Sequence, residues 1–483
     1  MANHVTPNKV FHDRVLYERV ANEVVHLIEG GTLRAGSRVP SVRNLSNQRG
    51  VSVSTVLQAY RQLENGGWIE ARPQSGYYVK SRQQRPPEPE ESRPSLDITQ
   101  VSTGELMMQI LQDKQSANAV QLGSAIAASE HLPIKALHRA LMNASKKYGA
   151  DAMNYDIAPG CLRLREQIAR RVLVAGCNLT PDDFVLTNGC QEALMLCLRA
   201  VTKSGDTVLI ESPTYYGVLQ IIESLGLNAL EIPTHPRDGI SLEAMEVALD
   251  GNAVAACVLS PTFNNPLGSC MSDERKKRLV ETLSARDIPL IEDDIWGDTS
   301  FDNPRPHAAK AWDKNGGVML CSSFSKTLAP GLRVGYVAAG RWKKRVEYLK
   351  TVNTLANATL PSLAVAEFLE NGGYDAHLRR IRKSFAAQVQ WTTNAVDHYF
   401  PAGTRVTRPR GGQVVWVEMP QNIDALQLFA DAIKENISIA PGPIFSPRAK
   451  FRNFFRLNCA WHQSPEIERA FRTLGSLMAR QMG

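Results

Sequence analysis

At 483 residues, with 43% hydrophobic and 21% charged side chains, the chain has the composition of a water-soluble globular protein and is too long for one ordinary domain, so two or three are expected. It has no stretch of eighteen apolar residues, and the opening MANHVTPNKVFHD lacks an apolar core, so neither a membrane helix nor a secretory leader is expected and the expected compartment is the cytoplasm. The formal charge of +7 is too modest to argue for a nucleic-acid partner by itself; its distribution says more. Cys161, Cys177, Cys190, Cys197, Cys257, Cys270, Cys321 and Cys459 form no Cys-x-x-Cys pair and no zinc-spaced cluster, so buried free thiols are expected and neither a disulfide nor a metal is implied.

A first helix is expected near residues 14 to 29, with Leu16, Val20, Val24, Leu27 and Ile28 on one stripe and a stop at Gly30-Gly31. Ser41 caps a short helix running to about Gln48, Gly50 breaks it, and Ser52 caps a second helix that buries Val56, Tyr60 and Leu63 and ends at Gly66-Gly67. WIEAR, a PQSG turn and YYVK then read as a β-hairpin. Between Arg34 and Leu63 lie Arg34, Arg38, Arg43, Arg49 and Arg61 and no Asp or Glu, which gives this module a one-signed face.

Helix, helix-turn-helix and wing in this order, with PSVRNLSNQRGVSVSTVLQAYRQLENGGWIEARPQSGYYV, resemble the GntR family of winged-helix regulators over residues 12–80. The resemblance implies a double-stranded DNA operator as partner. It places Ser52, Ser54, Thr55 and Gln58 of the recognition helix in the major groove, Arg43 and Arg61 on the backbone or a guanine edge, and Gly76 at a wing tip close to the minor groove. Residues 81–97, SRQQRPPEPEESRPSLD, mix proline with dense charge and are expected to form an extended spacer and the domain boundary.

From about residue 150, apolar strands alternate with amphipathic helices, which argues for an α/β domain with a mainly parallel sheet and ligands at the carboxyl ends of its strands. Gly189, Cys190 and Gln191 sit where a strand gives way to a helix whose free N–H groups suit an anion. In ESPTYYG, Tyr215 or its neighbour Tyr216 can lie against an aromatic ligand or pack in the core, and Asn265 in SPTFNNPLG can donate to a phenolate. IEDDIWG ends a strand with two carboxylates, and a buried Asp there needs a partner. SSFSKTLAPGLRVGY holds Lys326 in a hydroxyl-rich turn with Ser323, Ser325 and Arg333, residue types suited to an amine that forms a Schiff base beside a phosphate.

That last string resembles the lysine segment of fold-type I pyridoxal 5′-phosphate (PLP) enzymes, the aminotransferase family. The resemblance covers about residues 115–475, within a body placed at 98–483 whose smaller carboxyl-terminal α+β part is expected from about 345. It implies PLP as an internal aldimine on Lys326, Asp293 on the ring nitrogen, Arg456 and Gly123 at the carboxylate of an amino compound, and Tyr155 reaching the phosphate of the other subunit of a homodimer. Trp296 stands where the family usually has a tyrosine. A GntR-like head on an aminotransferase-like body is the arrangement of the MocR subfamily of bacterial regulators, which this sequence resembles. Three readings stay open: a regulator whose signal is PLP or its adduct with an amino compound, an aminotransferase that also binds DNA, and a body that serves only as a dimerisation scaffold.

Overall fold

A computed structural model describes residues 9–483 except 30, 31, 35, 66, 67, 73, 74, 81–85, 114–118 and 372. The chain divides into two compact units, Met1–Arg85 and Pro86–Gly483. The expected helix stops at Gly30-Gly31 and Gly66-Gly67 lie outside the described residues.

The first unit holds helices α1 (Lys9–Glu29), α2 (Val42–Arg49) and α3 (Val53–Asn65) and strands β1 (Ile69–Arg72) and β2 (Gly76–Val79), which pair antiparallel. α1 begins earlier than expected because no Gly or Pro interrupts the chain from Lys9 to Glu29. Ser41 caps α2 by accepting the Asn44 N–H at 3.3 Å, and Gly50 ends it in a left-handed conformation at φ 63° that a Cβ would strain. Val20, Val24, Leu45, Val56, Tyr60, Leu63, Ile69 and Val79 form one core. Tyr60 is fully buried, and its hydroxyl donates to the Pro40 carbonyl at 2.6 Å, which ties α3 to the segment before α2.

The body is built on a sheet of nine strands. Along its main path the order is 99–100, 228–235, 207–212, 256–259, 290–293, 318–323, 335–338 and 184–187, with 239–240 hairpinned onto 228–235. The five strands from 228–235 to 318–323 are mutually parallel, while 335–338 runs antiparallel to both its neighbours. Their side chains are buried on both faces, which is why they read in the sequence as continuous apolar runs. A second, four-stranded antiparallel sheet (405–406, 414–418, 454–458, 440–441) packs with helices Ala425–Lys434 and Pro465–Met482 around its own core.

Two expectations need correction. The smaller lobe does not begin near 345: Val346, Leu349 and Leu363 belong to cores of the large sheet, and long helix Gly373–Tyr399 starts against that side (Tyr374, Leu378, Phe385) and ends in the small lobe (Val389, Val396). Met107, Ile110 and Leu122, far earlier in the chain, complete the small-lobe core. Nor is 81–97 all spacer, since residues from Pro86 onward lie extended on the body with Pro86 and Pro89 buried. Their prolines and carboxylates leave no core of their own to build, yet they find backbone and arginine partners on a surface already folded.

Asp294 shows what the large lobe must balance internally. It is buried and takes both carboxylate oxygens to Arg305 Nη2, at 2.6 and 2.8 Å, while Arg305 Nη1 reaches Asp298 at 3.2 Å. Arg305→Ala strands the Asp294 charge in the interior, so the body should lose about 3–5 kcal/mol of stability. Equilibrium denaturant unfolding of wild type and variant measures this, and a loss under about 1 kcal/mol contradicts it.

Candidate functional site

A cavity of about 300 Å³ opens at the carboxyl ends of the parallel strands, between the two lobes. Gln191, Cys190, Tyr215, Tyr216, Asn265, Asp293, Trp296, Ser323, Ser325, Lys326, Arg333 and Arg456 all line it. One sheet edge could not collect these residues. The parallel strands bring their ends together, and the strand Phe454–Asn458 of the small lobe supplies Arg456 from the opposite side.

Lys326 follows the strand Val318–Ser323, and its amine donates to the Ala125 carbonyl at 2.5 Å with the Trp296 ring centroid 5.0 Å away. Burial, reinforced by the Arg456 charge, pulls the amine down to about 8. Asp293 closes the strand Leu290–Asp293 and accepts from the Ile295 N–H at 3.1 Å and the Cys190 thiol at 3.4 Å. Burial pushes its carboxyl up to about 6. The two neighbouring carboxylates therefore differ: Asp294 is bound to Arg305, whereas Asp293 faces the cavity.

Arg456 is fully buried. Its Nη1 donates to Asn265 Oδ1 at 2.8 Å and its Nη2 to the Gly123 carbonyl at 2.6 Å, while Nε has no partner. Among the described residues no carboxylate pairs with it, and the Phe445 ring centroid lies 5.2 Å from the guanidinium. A buried cation left without an anion is a strong demand for an anionic ligand. Gly123 has to be glycine, because a Cβ there would come within 2.4 Å of the Ile439 backbone.

At the other end, Gly189 starts helix Cys190–Val201 at φ 88°, and a Cβ on it would meet Arg333 Nη2 at 2.6 Å. Arg333 Nη2 donates to the Asn188 carbonyl at 2.8 Å, and the Ser325 N–H to Ser323 Oγ at 3.3 Å. Free N–H groups at a helix start, two serines and a guanidinium form a cradle for a phosphate dianion. An amine of lowered basicity, an inward carboxylate, a phosphate cradle and an unpaired guanidinium thus fit a phosphorylated, aldehyde-bearing heteroaromatic and an amino-carboxylate beside it.

Tyr155 is 78% exposed and outside this cavity. Sequence reasoning missed Ser124, Ala125 and Ile126, which line the cavity beside Lys326; their signal was the LGSAI string around Gly123, whose small residues permit a close loop. A larger cavity of about 680 Å³ shares the loop after strand Ala256–Leu259, and on its rim Arg410 pairs with Asp302 and the His307 ring bonds to Asp273.

In the first unit Ser52, Ser54, Gln58, Arg43 and Arg61 are exposed on α2 and α3, and Gly76 opens β2. Thr55 corrects the expectation: it is buried, and its backbone N–H and hydroxyl both engage Ser52 Oγ, at 3.1 and 2.7 Å, so it helps to cap α3 instead of facing a groove. Arg49 is bound to Glu23 at 3.0 Å, which removes it from the free basic face.

Comparison with known proteins agrees with both units. Residues 120–474 match the family "aminotransferase class I and II", and residues 16–79 match "bacterial regulatory proteins, gntR family". The uncharacterized HTH-type transcriptional regulator YjiR of Escherichia coli is 38% identical over 96% of this chain and 99% of its own length. Aromatic-amino-acid aminotransferase 1 of Thermococcus litoralis is 27% identical over 77% of this chain and 91% of its own. The crystal structure of LysN, the α-aminoadipate aminotransferase of Thermus thermophilus complexed with N-(5′-phosphopyridoxyl)-L-leucine, superposes with a TM-score of 0.72 at 27% identity, covering 79% of this chain and 96% of that one. The chain belongs to the aminotransferase class I and II family and carries a GntR-type helix-turn-helix head, the makeup of a GntR-type regulator fused to an aminotransferase-like body.

Two outcomes follow. Only the neutral amine adds to an aldehyde, so attachment of an aldehyde at Lys326 should accelerate as pH rises through about 8 and level off above it; stopped-flow absorbance between pH 6.5 and 10 checks this, and a midpoint near the ordinary lysine value contradicts it. Arg43→Ala should weaken DNA binding and lower the salt slope of log K by about 1 without unfolding the body, and an unchanged slope and affinity would take Arg43 off the contact surface.

Proposed function

We propose that the protein is a transcriptional regulator that holds PLP in the cavity of its body and responds to PLP or to its adduct with an amino compound. The observation that carries this reading is the joint presence, on one cavity, of Lys326, an inward Asp293 and the buried, unpaired Arg456. Bound PLP supplies a carbonyl for amine exchange and a ring that withdraws electrons.

The chain's own residues supply the rest. Lys326, of lowered basicity, is the attachment point, and Asp293 keeps the ring nitrogen protonated because its buried charge then gains a cationic partner. Gly189, Cys190 and Gln191 offer backbone N–H groups to the phosphate, together with Ser323, Ser325 and Arg333. Tyr215, on the cavity wall, would lie against the ring. Since Arg456 already occupies the side-chain oxygen of Asn265, the Asn265 amide N–H₂ is left to face the phenolate. Arg456 and the Gly123 loop take the carboxylate of an amino compound. Trp296 presents an apolar ring to Lys326 where the family usually has a phenol, which favours holding a ligand over turning it over.

Dimerisation fits the surface. The strand 356–357 pairs with 156–157, and exposed apolar side chains lie on the segments leading into both strands, Met153, Tyr155 and Ile157 on one and Tyr348, Val352 and Leu355 on the other, which suits contact with a second copy of the chain and entry of Tyr155 into its cavity. The head then offers paired α3 helices to DNA half-sites, in the cytoplasm where the DNA is.

The test is whether site and output are linked. Borohydride reduction and digestion of the PLP-treated protein should yield the pyridoxyl group on Lys326, and the affinity for DNA selected by the protein should differ between apo protein, PLP form and Lys326→Ala. Equal affinities with many turnovers of an amino donor and a keto acid would instead make the protein an aminotransferase with a DNA-binding module.

A further inference from the structure

The residues expected to be spacer make a continuous set of bonds to both lobes. Toward the small lobe, Arg408 Nη2 donates to the Pro86 carbonyl at 2.5 Å, the Val406 N–H to the Pro87 carbonyl at 3.0 Å, and Arg405 pairs with Glu90 at 3.3 Å. Toward the large lobe, the Thr234 N–H donates to Ser92 Oγ at 2.9 Å, Ser92 Oγ donates to the Ser212 carbonyl at 2.5 Å, and residues 99–100 add an edge strand to 228–229. Glu88 bridges the lobes by itself, with one oxygen accepting the Arg408 N–H at 3.0 Å and the other paired with Arg237, just past strand Asn228–His235. The Glu88 side chain is only 9% exposed although that of Arg237 is 62% exposed, so the carboxylate is seated between the lobes while its cationic partner reaches it from solvent.

These anchors straddle the same seam as the cavity. Lys326 and Asp293 belong to the large lobe and Arg456 to the small one, so a ligand gripped at both ends sets the spacing of the lobes that the strap also spans. The strap also meets the segment that leads into the cavity wall. Ser212, which accepts from Ser92, leads into Thr214 and Tyr215; the Thr214 N–H donates to the Phe445 carbonyl at 3.0 Å, and Phe445 lies beneath Arg456. At its other end, Pro86 follows Lys80, the residue just after the last strand of the DNA-binding head, by six positions in the sequence.

We propose that residues 86–100 are the strap through which filling of the cavity is transmitted to the DNA-binding head. Ligand in the cavity changes lobe spacing, Glu88 and Ser92 convert that change into tighter or looser docking of the strap, and the length of chain free to position the head changes with it. This rests on the regulatory function proposed above, and it names the route by which that function operates.

The probe is N-(5′-phosphopyridoxyl)-L-leucine, which presents the phosphate, ring and carboxylate together. DNA affinity is measured with and without it, at fixed salt and protein concentration, for the full-length wild type and for Glu88→Gln/Ser92→Ala. Wild type should change affinity at least about five-fold, the lower end of typical coupling between sites. The double variant should bind the probe as wild type does but change DNA affinity less than about two-fold. A variant that keeps the full wild-type change overturns the strap as the route, whereas a wild type that binds the probe with no change overturns the regulatory reading itself. Hydrogen exchange on the wild type alone is an independent test: the amides of Ser92 and Thr234 should change exchange rate when the probe binds, and identical rates overturn the proposal even if the variant does not fold.

Discussion

A guanidinium buried without a carboxylate organises the body. Arg456 reaches from the small lobe to Asn265 of the large lobe and to the Gly123 loop, and neither partner is charged. Hydrogen bonds to neutral oxygens satisfy its donors in part but leave its charge uncompensated in a low-dielectric interior. The lobes therefore meet over a site that is electrostatically unfinished until an anion enters. Lys326 is governed by the same charge, which together with burial lowers its basicity.

The neighbouring carboxylates show how the surrounding structure divides one sequence feature into two roles. Asp294 is held by Arg305 in a buried pair and secures the turn after its strand. Asp293, one residue earlier, alternates to the opposite side, where it meets a thiol and a backbone N–H and, among the described residues, forms no ion pair. One is structural because its charge is matched; the other is available because its charge is not.

The strap extends this logic to regulation. A spacer fully in solvent would let the head move independently of the body. In the proposed route the docking of the strap depends on where the lobes stand, because Glu88 bonds to both of them and Ser92 to the large one. An α/β body of this size needs no such strap for its core, and much of the strap's attachment is polar, so it can release without unfolding what lies beneath.

Much of the fold was legible from the chain. Caps at Ser41 and Ser52, the break at Gly50, the apolar stripe through Val56, Tyr60 and Leu63, and the buried strands ending at Thr187, Ser212 and Asp293 all follow from local rules of periodicity, capping and turn chemistry. The residue types of the site were legible too, since Lys326, Asp293 and Arg456 stand in strings that resemble a known family. Other facts depended on neighbours distant in sequence. Thr55 turned inward because Ser52 took its hydroxyl, and the small lobe recruited Met107 and Leu122 because its sheet needed covering. The strap docked because Arg237 and Arg408, far apart in the chain, arrive at one carboxylate. Sequence alone determined most of the helices and strands and the strings in which the candidate site residues stand, because those depend on interactions a few residues apart. Only the tertiary structure decided which charges are matched and which are left open to a ligand, because burial and pairing are properties of the assembled interior.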